Sequence, residues 1–209
     1  MQYTHIVWDW NGTLFDDLEY SLKCINTLLA RYGLENLTVS RYHDVFGFPI
    51  SEYYKRIGFD FDKVPYSALA KEYMDIYIPG SMHCPLRSDA QQTVDRLKEN
   101  GYVNIVLSAS KEGYLLRQAE AAGLKNIYKY YGIDNIHAAG KEDIARKLRE
   151  DLKDASVLFV GDTVHDKAAA TAAGADCIFV GGGHNAAEKL KDHGLVFDSL
   201  KQVADWLLK

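Results

Sequence analysis

The pattern of apolar and polar positions divides the chain into two kinds of segment. "HIVWD", residues 5–9, is a short apolar run of strand formers and predicts a strand ending at Asp9. Leu18, Leu22, Ile25, Leu29 and Tyr32 then recur at helical spacing, with Asp16 or Asp17 as the cap before them and Gly33 as the left-handed stop. Further helices are predicted near 40–46, 51–57 and 66–77, the last bracketed by Pro65 and Pro79. No stretch between 16 and 80 reads as a strand. Beyond it, strands and helices alternate. A helix from Ser88 stops at Gly101, and "NIVLSAS" is a buried strand with a polar exit. Helix 111–122, strand 127–131, helix 142–152, the strand in "SVLFVGD", helix 166–173 and the strand "CIFV" follow. The turn "GGGHN", a helix, a short strand at 196–197 and a last helix complete the series. Apolar strands alternating with helices predict an α/β fold, a parallel sheet covered on both faces. A helical insert interrupts it after the first strand.

Composition narrows the partners. Hydrophobic residues make up 47% and charged residues 25%, which is the balance of a globular chain with a sizeable core. A net charge of −5 gives no electrostatic reason to expect nucleic acid or an acidic membrane surface as partner. Cys24, Cys84 and Cys177 are too scattered for a disulfide framework or a zinc site and predict free thiols in a reducing cytoplasm. The opening "MQYTHIVWDW" has neither the basic start nor the long apolar run of a signal peptide, and no segment approaches the ~20 apolar residues of a membrane helix.

In an open parallel sheet, ligands bind at the carboxyl ends of the strands. Asp9, Ser108 and Asp162 fall at three such ends, Asp166 follows at the start of a helix, and Lys141 precedes another. Two or three carboxylates with main-chain oxygens suit a hard cation such as Mg²⁺. A serine hydroxyl, main-chain N–H groups and a lysine suit phosphate oxygens. One carboxylate remains as a nucleophile toward phosphorus.

These residues give the chain a resemblance to a known family. "DWNGTL" at 9–14 stands where the haloacid dehalogenase superfamily has Asp-x-Asp-Gly-Thr, and "VLSAS" at 106–110 matches its strand ending in Ser or Thr. Lys141 in "AAGKED" matches the family lysine, and "VGDTVHDKAAATAAGADCIFVGGGHN" matches its Gly-Asp-x-x-x-Asp segment. The chain most resembles the phosphoglycolate-phosphatase-like branch with a helical cap. The resemblance implies a doubly wound, Rossmann-like core at 1–15 and 81–209 and a helical cap domain at 16–80. It implies a phosphatase acting on a small phosphorylated metabolite. Asp9 would be the nucleophile that forms an aspartyl-phosphate. Asp9, Asp162, the main-chain carbonyl of Asn11 and nearby Asp166 would hold Mg²⁺. Thr13, Ser108, the Ala109 N–H and Lys141 would bind phosphate, with Lys141 also keeping the carboxylates ionised. No histidine among His137, His165 and His184 receives a proton-transfer role, and Tyr42, Tyr53 and Tyr54 read as packing.

The departure from the pattern is Asn11. In the family's phosphatases this position protonates the leaving alcohol, and an amide has no titratable proton for that task. General acid–base catalysis is typically worth ~10²–10⁴-fold. Three readings follow: a Mg²⁺-dependent phosphatase that is slow or acts on good leaving groups, a non-catalytic phosphate-ligand-binding or interaction protein, or a carbon–phosphorus bond hydrolase using a cap lysine, for which Lys55 stands in a suitable place. Carbon–halogen cleavage would leave Asp162 and Asp166 without a role. Arg41, Lys55 and Arg56 are candidate contacts for a second anionic group on the substrate.

Overall fold

The computed structural model describes residues 2–133 and 141–209. Six parallel strands form one sheet: β1 (His5–Trp8), β2 (Val103–Leu107), β3 (Lys129–Tyr131), β4 (Val157–Gly161), β5 (Asp176–Val180) and β6 (Val196–Phe197), in spatial order β3-β2-β1-β4-β5-β6. β1 lies at the centre, with His5 opposite both Val103 and Val157 and Trp8 opposite both Val106 and Val160. This register brings Asp9, Ser108 and Asp162 out at the same edge.

Because successive side chains along a strand point to opposite faces, β1 feeds two cores. Ile6 and Trp8 pack with Val94 and Leu97 of α5 (Ala90–Glu99), Leu115 of α6 (Glu112–Ala121) and Val203 of α10 (Leu200–Leu207). Val7 packs on the other face with Ala145 and Leu148 of α7 (Glu142–Asp151) and Ala169 and Ala170 of α8 (Val164–Ala172). The short α9 (Ala187–Lys191) precedes β6. The fold is therefore the expected α/β fold with a doubly wound parallel sheet. The strand expected at 127–131 is confined to Lys129–Tyr131, and α8 starts two residues ahead of the expected position, because Thr163 rather than Asp166 is its N-cap.

The insert consists of α1 (Leu18–Arg31), α2 (Val39–Val45), α3 (Ile50–Arg56) and α4 (Tyr66–Ser81). It has its own apolar cluster, including Ile25, Leu28, Leu29, Val45, Tyr54 and Leu69. α4 runs through Pro79 to Ser81 instead of ending before it. A proline in the last turn removes one intrahelical hydrogen bond where few remain to be lost. The two connections to the sheet lie side by side: the Asp16 N–H donates to the Pro85 carbonyl and the Arg87 N–H to the Leu14 carbonyl, both at 2.9 Å. Among the described residues, no helix is long and apolar enough to cross a membrane.

One buried polar residue ties the sheet to its helices. The Asn104 carbonyl oxygen of β2 accepts from the Trp8 indole N–H at 2.9 Å, and its amide donates to the Val94 carbonyl at 3.1 Å. Asn104→Leu keeps the volume but orphans the buried indole N–H, which should cost about 1–3 kcal/mol. A fall in the urea midpoint with unchanged m-value would register this loss.

Candidate active site

The site begins with how the chain leaves β1. Asp9 follows the strand, and the chain then turns tightly, with the N–H groups of Thr13, Leu14 and Phe15 all directed at the Trp10 carbonyl. Gly12 sits at φ +73°, and a Cβ there would overlap the carboxylate of Asp162 and the ring of His184. Glycine is needed both for the backbone angle and for the space. At the neighbouring strand end, a Cβ on Gly161 would overlap the Asp166 carboxylate. The sheet edge is thus pared down so that carboxylates can approach.

Asp9, Asp162 and Asp166 each offer an oxygen, all within 4.8 Å of one another. Lys141, itself buried, lies between two of them, with Nζ 2.7 Å from Asp9 Oδ1 and 2.6 Å from Asp166 Oδ1. Burial opposes its charge, but Asp166 and Asp9 hold it protonated above its usual range. Burial, with the Asp166 charge adding to it, pushes Asp9 up to about 8 despite Lys141. Burial also raises Asp162. Asp166 is held low: burial works against its charge, but Lys141 and the hydrogen bonds from Thr163 outweigh that penalty. Asp166 serves two purposes, because Oδ2 also accepts from the Thr163 N–H at 3.0 Å and the Thr163 hydroxyl at 2.9 Å, closing a capping box on α8. Three converging carboxylates with one shared cation are short of positive charge, and a divalent cation bound by oxygen fits that deficit. The group could hold a metal ion.

The other expected site residues gather here, with two differences in detail. Ser108 and Ala109 line a cavity over Asp9 with a volume of about 230 Å³. Thr13 is buried and its hydroxyl donates to Asp162 Oδ1 at 2.7 Å, so it holds a carboxylate where a phosphate contact was expected. Asn11 points into a hydrogen-bonded cluster. Its Nδ2 donates to Asp17 Oδ2 and to the Tyr77 hydroxyl, both at 2.8 Å, and its Oδ1 accepts from Ser110 at 3.1 Å. Lys55 is on the exposed face of α3, bonded to Glu52, and Arg56 donates to the Val45 carbonyl; neither they nor exposed Arg41 lines the cavity. His137 lies outside the described residues.

Sequence reasoning missed Asp17 and His184. Asp17 is at the N-cap position of α1 but makes no cap hydrogen bond. Its carboxylate instead accepts from the Gly12 N–H at 3.0 Å, Ser21 at 3.1 Å and Tyr77 at 2.7 Å, besides Asn11. His184 Nε2 lies 3.2 Å from Asp17 Oδ1, Nδ1 is 2.9 Å from the Tyr42 hydroxyl, and its main-chain N–H donates to Asp162 at 2.6 Å. Burial alone would discharge this histidine, yet Asp17, Asp162 and Asp9 together push it up to about 9. The Asp17 carboxyl is held low, because His184 and the hydrogen bonds overcome its burial. The one available signal for His184 was its place in "GGGHN", directly after a central strand. His165 is neutral, its pKa lowered to about 4 by burial and by Lys141; Nε2 accepts from the Lys141 N–H at 3.2 Å and its ring stacks on Phe48.

Comparison with known proteins agrees with the fold. Residues 6–180 match the family model described as haloacid dehalogenase-like hydrolase. A 5'-nucleotidase of Pseudomonas aeruginosa is 24% identical over 92% of this chain and 89% of its own length. The structure of a predicted phosphatase from Clostridium acetobutylicum superimposes with a TM-score of 0.83 at 21% identity, covering 99% of this chain and 98% of that one. That of a predicted phosphoglycolate phosphatase from Haemophilus somnus gives 0.79 at 17% identity, covering 99% of each.

The His184–Asp17 pair sets a pH dependence in metal-free protein. The folded pKa of His184, about 9, lies above its ordinary 6.5, so its contribution is complete below pH 6.5 and is lost as pH rises through about 9. At the acid end the contribution of Asp17 is lost as pH falls through its lowered pKa. Asp9 also titrates in the upper range, so the comparison is made between native protein and His184→Gln. With chelator present, urea midpoints from pH 6 to 10 should show the variant lacking a fall of up to about 3 kcal/mol.

Proposed function

The chain belongs to the haloacid dehalogenase-like hydrolases, and from that premise we propose that it is a Mg²⁺-dependent phosphatase of a small phosphorylated metabolite, working through an aspartyl-phosphate on Asp9. The observation that carries the reading is the convergence of Asp9, Asp162 and Asp166, the first and last of them paired with Lys141, beneath a cavity that Ser108 and Ala109 also line. The free thiols Cys24, Cys84 and Cys177 accord with action in a reducing cytoplasm.

In the proposed reaction, an oxygen of Asp9 attacks phosphorus as the ester P–O bond breaks, and the leaving oxygen departs with the bonding pair. Mg²⁺, held by Asp9, Asp162, the Asn11 carbonyl and with Asp166 close by, would neutralise charge on the phosphoryl oxygens and keep Asp9 ionised. Lys141 holds Asp9 in place and adds to that neutralisation. Ser108 and the Ala109 N–H orient the phosphoryl group. Water then attacks the aspartyl-phosphate, releasing inorganic phosphate and restoring Asp9. Residues 16–80 act as the cap, shielding this centre from bulk water. Asn11 donates no proton at either step, so the leaving oxygen departs as an anion or takes its proton from water.

The test has two arms. Asp162→Asn should remove Mg²⁺ binding by titration calorimetry and abolish hydrolysis; unchanged affinity would refute the metal assignment. Asn11→Asp would set a carboxyl against Asp17, at the 2.8 Å now spanned by a hydrogen bond. Two carboxyls so close share a proton, which raises a pKa into the range of a working acid. Turnover of alkyl phosphates should rise by about 10²-fold and that of activated aryl phosphates far less. Parallel gains across leaving groups would show that Asn11 is not where proton transfer was lost.

A further inference from the structure

Asp162 is gripped from two sides. Its Oδ1 accepts from the Thr13 hydroxyl at 2.7 Å, and its Oδ2 accepts from the His184 main-chain N–H at 2.6 Å. Thr13 belongs to the turn after β1 and His184 to the loop after β5. Two glycines make room for the same carboxylate: a Cβ on Gly12 and one on Gly183 would each overlap Asp162 Oδ2. One carboxylate therefore fills a slot whose two jaws come from different loops.

Those loops leave strands that are not neighbours, because β4 lies between β1 and β5. The β1–β4 register ends at Trp8 and Val160, and the β4–β5 register at Gly161 and Phe179. Thr13 and His184 lie beyond both, so the sheet ladder does not set the width of the slot. Arg87 spans the two loops instead. Its Nη1 donates to the Gly12 carbonyl at 3.2 Å and to the Gly181 carbonyl at 2.8 Å, one bond to each loop. A planar nitrogen with two N–H bonds fixes the angle between its acceptors as well as their separation. The Arg87 main-chain N–H donates to the Leu14 carbonyl at 2.9 Å, which anchors the residue to the turn that it clamps. The peptide gripped at Gly12 directly follows the Asn11 carbonyl, the proposed main-chain ligand. Arg87 itself is half-buried and does not line the cavity over Asp9.

Resting on the Mg²⁺ reading above, we infer that Arg87 is a positioning residue for the metal site: by joining the Gly12 and Gly181 carbonyls it sets the slot that holds Asp162, and through Asp162 the affinity for Mg²⁺. Groups that orient a metal-binding carboxylate from outside typically change affinity by about 10–100-fold when removed. Arg87 acts one step further back, through the loops that carry those groups, so the lower end of that range applies.

The experiment compares two arginines. Arg149 is also half-buried and also bonds main chain, donating to the Ala173 and Ala155 carbonyls at 2.8 and 2.9 Å, but it does so where α8 ends and β4 begins, away from the site. Arg87→Met removes both donors. Arg87→Lys keeps the stem and the charge, so it should fold, but its Nζ stops one bond short of the Nη1 position. Mg²⁺ affinity is measured by calorimetry, and exchange of the His184 amide by NMR on protein with chelator present, a readout that needs no metal. Both Arg87 variants should bind Mg²⁺ about tenfold more weakly and exchange the His184 amide about tenfold faster than native protein. Arg149→Met should lower the urea midpoint and change neither. Unchanged Mg²⁺ affinity in both Arg87 variants overturns the inference. So does an equal loss in Arg149→Met, which would make the effect a general loosening. If native protein takes up no Mg²⁺, the metal reading falls and the exchange arm decides alone. Faster His184 exchange in the Arg87 variants but not in Arg149→Met then keeps Arg87 as the residue that positions Asp162, and unchanged exchange removes it.

Discussion

The packing of negative charge at one edge of the sheet governs the rest of the site. Asp9, Asp17, Asp162 and Asp166 gather there, and among the described residues they face only Lys141 and His184 as buried cations. Two like charges about 4 Å apart repel by about 4 kcal/mol at an effective dielectric constant of 20. The protein meets that cost with direct pairing and with hydrogen-bond donors. Each carboxylate accepts a main-chain N–H: Asp9 from Trp10, Asp17 from Gly12, Asp162 from His184 and Asp166 from Thr163. Such donors cannot be lost on titration, and they fix each carboxylate before any ligand arrives.

That constraint explains local choices that would otherwise look arbitrary. Gly12 and Gly161 have no Cβ because a carboxylate occupies the space one would fill. His165 is neutral and holds the N–H of Lys141, which orients the lysine without adding to its charge. The insert is bound to the same cluster. Tyr77 of α4 donates to Asp17, Tyr42 of α2 meets His184, and His43 Nε2 is 3.0 Å from the Gly183 carbonyl. The helices over the cavity are therefore held by the side chains that balance charge beneath it.

The fold was legible because its signals are local. An apolar run and a helical period are each contained in one segment, so β1, β2, β4 and β5 and the helical insert could all be read before their arrangement was known. The charged centre was legible through four motifs, each of which places its own residue at a strand exit or helix start. Asp17 was read as a helix cap because an aspartate before Leu18 satisfies that pattern, and nothing nearby in sequence shows that His184 returns from 167 positions away. The tyrosines were hidden for a related reason. Within an amphipathic helix a buried tyrosine looks like any large apolar residue, and where its hydroxyl ends is decided by other helices. A weak signal was present in the insert's share of the aromatic residues: more than half of the chain's 14 tyrosines fall between 16 and 80. Phenylalanine would have served for packing alone.

Asn11 gains sense from the same balance of charges. An ionised aspartate there would be a fifth carboxylate, pressed against Asp17 where the amide now donates at 2.8 Å. It would need a proton or another cation to be tolerated, and the His184 imidazole is already paired with Asp17. The amide avoids this cost. It gives Asp17 a donor, gives Tyr77 another, and takes one from Ser110, joining α4, the β1 exit and the loop after β2 in one cluster. What is lost is a transferable proton, and what is gained is a neutral tether between the insert and the phosphate-binding loops. A site so arranged tolerates the exchange best when the leaving group is already stable as an anion.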